Sequence, residues 1–167
     1  GSYLMGSIPF GFILTKLFLK KDIRDIGSGN IGATNALRTG SKLIGYTTLT
    51  LDILKAVIPV VIIKLNYPDY IYIASLSAFL GHVFPMWLKF KGGKGVATYL
   101  GILSALNLTY GFAFIISWMI IFISTKYSSL STYPSQTSTF AYLFFIKWPL
   151  ILQSPRGGIA HLSLEKP

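Results

Sequence analysis

Long apolar runs broken by brief knots of charge limit what this chain can become. Residues 3–19, 43–63, 70–88 and 96–123 approach or exceed the ~20 mostly apolar residues that a transmembrane helix needs. Only 12% of the 167 residues are charged and 52% are hydrophobic, whereas soluble domains carry about 25% charged residues. Such runs suit lipid, where only helices and closed barrels satisfy every backbone polar group. The expectation is an all-α, polytopic integral membrane protein with about four or five spans. Residues 96–123 suffice for one tilted helix or for two short ones turning near 107–111. Residues 140–152 form a weak last candidate, interrupted by Lys147 and Pro149. With no cysteine, disulfides and thiolate metal sites are excluded. No basic stretch precedes the first apolar run, so the start does not read as a cleavable signal peptide. It opens on Gly1 and reads as clipped.

Charge is distributed unevenly between the connecting segments. Residues 20–42 hold Lys20, Lys21, Arg24, Arg38 and Lys42, and residues 89–95 hold Lys89, Lys91 and Lys94. Residues 64–69 balance Lys64 against Asp69. Lys and Arg in short loops favour the cytoplasmic side, so the first and third loops are expected inside and the second outside. The net charge of +10 is explained by that bias, by anionic ligands at the inner face, or by both. Nucleic acid is a poor partner, because the basic residues lie in short loops and not on one soluble face. Asp52 and Lys55 fall within the second apolar run, three residues apart and so on one helix face. They are either an internal ion pair or a polar floor beneath a site, since lone charges in a bilayer are costly.

Two segments carry the pattern of an anion site. Gly27-Ser28-Gly29-Asn30-Ile31-Gly32-Ala33-Thr34-Asn35, followed by Arg38, places glycines where the backbone can approach an anion closely and form a nest of N–H groups. Ser28, Asn30, Thr34 and Asn35 add neutral donors, and Arg38 can grip a phosphate with two N–H groups. The G-x-G-x-x-G spacing here is not a dinucleotide fingerprint, because its flanks are apolar spans and not a βαβ unit. The second segment joins Gly81-His82-Val83-Phe84-Pro85 to Lys89-Phe90-Lys91-Gly92-Gly93-Lys94-Gly95-Val96-Ala97-Thr98. Gly92, Gly93 and Gly95 around Lys94, leading into an apolar helix, read as a phosphate loop at a helix N-terminus. It is not a Walker A loop, since Leu88 and Gly95 replace the required Gly and Ser/Thr. His82 either sets the loop's shape or serves as base or ligand. Nothing near it makes a metal cluster, and no metal or cofactor is expected.

At these segments the sequence resembles the acyl-phosphate:glycerol-3-phosphate acyltransferase family, the PlsY type. The family's first motif is similar to residues 27–38 and its second to residues 81–98, while Gly6-Ser7-Ile8-Pro9-Phe10-Gly11 resembles its opening helix. The likeness runs from about residue 3 to about residue 131. It implies a bacterial inner-membrane enzyme of up to seven spans, with its site on the cytoplasmic side. Such an enzyme makes lysophosphatidic acid from acyl phosphate and glycerol 3-phosphate. The resemblance assigns Ser28, Arg38 and Lys94 to catalysis on glycerol 3-phosphate. It assigns Gly27, Gly29, Asn30, Thr34, Asn35, His82, Gly92, Gly93, Gly95 and Thr98 to substrate binding. Implied partners are the two substrates and membrane lipids, with room for contact with the enzyme that supplies acyl phosphate. The runner-up is a transporter or channel for small organic phosphates.

The family's third motif, with a His-Arg-Glu-Asn core, is absent. Composition shifts near Ser131 towards Ser, Thr, Pro and Gln. The expected organisation is therefore a membrane core at 1–131 and a divergent tail at 132–167, frameshifted or rearranged, with low activity for this chain. The charge asymmetry generates a direct test of topology. A single cysteine at position 93 should resist a membrane-impermeant reagent added outside intact cells, and one at position 66 should react. Outside labelling at 93 would overturn the orientation.

Overall fold

The computed structural model describes residues 1–125, and all described residues lie in helices, turns or loops. It divides into two units, Gly1–Ile116 and Ser117–Pro167. The expected tail at 132–167, its boundary at 131, and the candidate span at 140–152 lie outside the described residues. Among the described residues there are seven α-helices: α1 (Ser2–Gly6), α2 (Phe10–Leu19), α3 (Ala33–Leu37), α4 (Lys42–Asn66), α5 (Ile71–Val83), α6 (Val96–Leu106) and α7 (Leu108–Thr125). Single 3-10 turns at Ile23–Asp25, Pro68–Tyr70 and Met86–Leu88 complete the list.

The first apolar run is not one helix. Pro9 cannot donate to the turn before it, so the chain breaks between α1 and α2, and Phe10 N–H reaches back only to the Ile8 carbonyl at 3.1 Å. The run at 96–123 also resolves into two helices, α6 and α7, meeting at Asn107. α4 has 25 residues, hence a length of about 37 Å, more than the ~30 Å of a bilayer's hydrocarbon. Pro68–Leu88, which is α5 with its flanking turns, forms a 21-residue apolar segment long enough to cross.

Polarity in the first unit is inverted relative to a water-soluble protein. Ser7, Thr15, Thr48, Asp52, Lys55, His82 and Thr98 are each at most 3% exposed. Leu54, Ile58, Ile62 and Leu65 on the other face of α4 are exposed, as are Ile73, Leu76 and Leu80 on α5. Large apolar side chains outward and ionisable groups inward is the arrangement for a lipid solvent. α4 is the central element. It packs along α6 and also meets α1, α2, α3 and α5. Its contact with α6 is a small apolar cluster of Ala56, Val60, Ile102 and Ala105. Lys64 at its far end donates to the Ala105 and Leu106 carbonyls, both at 2.9 Å, capping the C-terminus of α6. In the second unit Trp118 and Phe122 stack one turn apart, with centroids 5.0 Å apart.

Without a strong hydrophobic drive between helices in lipid, close approach depends on small residues. A Cβ on Gly6 would meet the Ala78 carbonyl, and one on Gly81 would meet the Tyr3 carbonyl and stand 2.8 Å from Ser7 N. α1 and α5 are therefore in backbone contact. The Tyr3 hydroxyl donates to the Phe84 carbonyl at 2.8 Å, and Trp87 Nε1 donates to Ser7 Oγ at 2.9 Å. Gly81→Ala should separate the two helices and cost about 1–3 kcal/mol, the usual penalty for overpacking. Thermal unfolding in detergent measures it, and an unchanged midpoint would refute the close contact.

Candidate active site

The first glycine segment is built around one buried amide. Asn35 lies on α3 and is 2% exposed. Its Nδ2 lies 3.0 Å from the Ile23 carbonyl, 2.8 Å from that of Ile26 and 2.8 Å from that of Asn30. Two N–H groups serve three acceptors, so one is shared. Its Oδ1 accepts from Ser28 N–H at 3.0 Å. Only Asn supplies both donor and acceptor ends at this size, which orders the whole loop around α3. Asn30 Oδ1 accepts from Gly32 N–H at 2.9 Å and sets the turn into that helix. Gly27 and Gly29 have φ values of +55 and +69, a region that glycine enters without penalty. The Arg38 side chain lies across Gly27, its Nη1 3.3 Å from where a Cβ would stand. Ser28, Thr34 and Arg38 are exposed at the surface of this loop.

The loop's entry is held separately. Asp22 caps the 3-10 turn by accepting from Arg24 N–H at 3.0 Å, and the Arg24 guanidinium closes on the same carboxylate at 2.6 Å. That guanidinium lies 4.9 Å from the centroid of the Phe12 ring. Its hydrogen bond holds the Asp22 carboxyl down at about 2, against an ordinary 3.8.

The second segment folds back on the end of α5. Gly92 N–H donates to the Val83 carbonyl at 3.1 Å, and Gly93 N–H to that of His82 at 3.2 Å. Lys89 and Phe90 between them both have positive φ, +53 and +61, an uncommon conformation for residues with a Cβ. Gly95, at φ +78, caps α6 with no side-chain hydrogen bond, leaving the helix N-terminus without a side-chain acceptor. Lys94 is exposed beside it. Gly92 and Gly93 have no room for a Cβ: the first would meet the His82 and Val83 carbonyls, the second the His82 ring.

Beneath these loops lies a buried ionisable group of three. Lys55 Nζ is 2.8 Å from Asp52 Oδ1 and donates to the Ile8 carbonyl at 2.7 Å. His82 Nδ1 is 3.8 Å from the same Asp52 oxygen. Thr98 Oγ1 donates to the Asp52 carbonyl at 3.4 Å. Thus His82 and Thr98 sit below the loop surface, whereas Ser28, Thr34, Arg38 and Lys94 sit on it. Sequence reasoning paired Asp52 with Lys55 but missed His82 as their neighbour and the Ile8 carbonyl as the anchor. The available signal was Pro9, which keeps Ile8 out of the helical conformation and its carbonyl out of a helical ladder. One apolar cluster of Ile23, Ile31, Ala36, Ile44 and Leu88 joins both glycine segments. Against it lies an apolar cleft of about 270 Å³ lined by Ile8, Pro9, Phe12, Ile13, Trp87 and Leu88.

The sequence profile described as glycerol-3-phosphate acyltransferase matches residues 1–163. This chain belongs to the glycerol-3-phosphate acyltransferase family. The match extends past Ser131, where the motif likeness stops. A family member from Pelagibacter ubique is 63% identical over 172 positions, covering 97% of this chain and 90% of the relative. One from Nitrobacter winogradskyi is 46% identical, covering 96% and 88%. The crystal structure of PlsY, an integral membrane glycerol 3-phosphate acyltransferase, in its glycerol 3-phosphate form superposes with a TM-score of 0.79 at 38% identity, covering 86% of this chain and 73% of that one. Its lysophosphatidic acid form gives 0.77 at 37% identity, covering 89% and 75%.

Within the family's first motif, Asn35 offers a clean structural test. Asn35→Ala should destabilise the protein by about 1–3 kcal/mol, the cost of leaving buried partners unsatisfied. Amide hydrogen exchange across residues 23–30 should accelerate. Unchanged protection there would remove Asn35 from the role described.

Proposed function

We propose that this chain transfers a fatty acyl group from acyl phosphate to glycerol 3-phosphate, giving lysophosphatidic acid and phosphate. The observation that carries the reading is the joining of two basic glycine loops through one apolar cluster, next to an apolar cleft. Two polar anions and one acyl chain require that combination. Support also comes from the relatives and from the two PlsY structures, one with glycerol 3-phosphate and one with lysophosphatidic acid. A carrier for organic phosphates is less well supported, since carrier sites lie near the bilayer midplane and both loops here lie at helix ends. The site is assigned to the cytoplasmic face of a bacterial inner membrane, on the strength of the basic residues in both loops.

Acyl phosphate is a mixed anhydride, already activated, so no covalent enzyme intermediate is required. The glycerol 3-phosphate hydroxyl attacks the acyl carbonyl, and the carbon–oxygen bond to phosphate breaks. Arg38 and Ser28 hold the glycerol phosphate. Lys94 and the free amides that open α6, from Gly95 onward, hold phosphate and stabilise the charge developing on the leaving group, on a turn shaped by Gly92 and Gly93. Gly27, Gly29, Asn30, Thr34 and Asn35 shape the first wall. Holding two anions in register supplies roughly 7–11 kcal/mol of the barrier. A phosphate oxygen of the substrate takes the hydroxyl proton. The acyl chain enters from the bilayer and lies along the cleft at Phe12, Ile13 and Trp87.

Purified protein given palmitoyl phosphate and labelled glycerol 3-phosphate should form lysophosphatidic acid. Arg38→Lys should lower kcat/KM by about tenfold or more, since lysine lacks the planar fork. Product from palmitoyl-CoA and none from palmitoyl phosphate would overturn the donor. The same assay weighs the missing third motif. Turnover far below that of the Pelagibacter relative supports a tail that leaves the site incomplete, and equal turnover overturns that expectation.

A further inference from the structure

We propose that Asp52, Lys55 and His82 form a buried positioning unit that sets the height of the Gly92–Gly93 turn and so the geometry of the phosphate loop. The inference rests on the acyltransferase reading for its kinetic consequence and on packing alone for its structural one.

His82 is 3% exposed, and its ring occupies the space where a Cβ on Gly93 would stand, with Nε2 the atom met first. Its carbonyl accepts from Gly93 N–H at 3.2 Å. The turn is thus held to His82 at two points, by a hydrogen bond and by the Nε2 edge of the ring. On its other side the ring is limited by Asp52, with Nδ1 3.8 Å from Oδ1. Asp52 is fixed in turn by Lys55 at 2.8 Å, and Lys55 by the Ile8 carbonyl at 2.7 Å. Phe10, just past the break, presents its ring 5.7 Å from the same ammonium. Three separate segments therefore meet here: the α1–α2 break, the middle of α4 and the second glycine loop.

This assigns to Gly93 a cause different from close approach to an anion. A glycine needed for the ligand alone would be indifferent to the size of residue 82. A glycine needed because an imidazole lies under it would not. His82 is accordingly a positioning residue acting through Gly93.

The test is a double-mutant cycle on the full chain, with His82→Ala, Gly93→Ala and the double variant. Each single change should raise KM for glycerol 3-phosphate more than it lowers kcat. The double variant should recover about tenfold of the combined loss, the scale of coupling between residues in contact. Multiplicative losses with no recovery would overturn the proposal and return Gly93 to a purely ligand-facing role. If Gly93→Ala does not fold, recovery of folding in the double variant counts for the proposal, and its absence counts against it. Asp52→Asn supplies a second reading at nearly constant volume. KM for glycerol 3-phosphate should rise about fivefold or more, because the fixed oxygen beside His82 and Lys55 loses its charge. An unchanged KM removes Asp52 from the unit. A wild-type chain inactive with palmitoyl phosphate would sink the acyltransferase reading and not this one. The thermal midpoints of the same four proteins still report the coupling: a double variant above Gly93→Ala sustains it, and one below both singles overturns it.

Discussion

A charge buried where no water can follow must find its partner within the chain, and that requirement fixes the centre of this protein. Lys55 and Asp52 form an ion pair across one turn of α4, but an ammonium has three protons to place. One goes to the Ile8 carbonyl, in the break between α1 and α2, where Pro9 keeps Ile8 out of the helical conformation. Pro59, four residues past Lys55, likewise withholds a donor from the Lys55 carbonyl. Pro9 lies in the break between α1 and α2, whereas α4 runs on through Pro59, which is buried. Removing either charge alone would leave the other unpaired, which is far more damaging than replacing both.

From that centre the two glycine segments are built in different ways. The first is organised by a polar side chain, with Asn35 gathering three carbonyls and one N–H into a rigid loop. The second is organised by exclusion. Gly92, Gly93 and Gly95 each lie against something solid: the end of α5, the His82 ring, and the Phe79 ring, whose Cε2 stands 2.5 Å from a Cβ on Gly95. Phe79 continues edge-on to Tyr99 and Tyr99 to Phe114, with centroids 5.9 and 5.4 Å apart. The start of α6 is thereby buttressed by aromatic rings, while its free amides face the loop that carries Lys94.

Part of this was written plainly in the sequence. Apolar length marked the helical runs, glycine and lysine spacing marked the two loops that lie over the buried charges, and the three-residue interval gave the Asp52–Lys55 pair. The break at Pro9 was legible in principle but was masked by the continuous hydrophobicity of residues 3–19. The sequence of residues 96–123 suits one helix or two, because Asn107 stops a helix only when its neighbours permit it. The contact of His82 with Gly93 could not be read. It depends on consecutive positive φ values at Lys89 and Phe90, residue types that rarely adopt them, and nothing local announces such a turn. Burial of Thr98 was hidden for a similar reason, since only the packing of α6 on α4 decides which face of its first turns points inward.

The α4–α6 pair carries a mechanical consequence. Thr98 ties the start of α6 to the Asp52 carbonyl, and Lys64 ties its end to the far end of α4. The two ties are separated along α4 by about 18 Å, twelve residues at 1.5 Å each. A helix pinned to its neighbour at both ends cannot slip by a turn without breaking both pins together. The pair therefore behaves as a splint. Any adjustment on taking up or releasing ligands must fall to the glycine-bearing loops beyond it, while the membrane-embedded scaffold keeps its register.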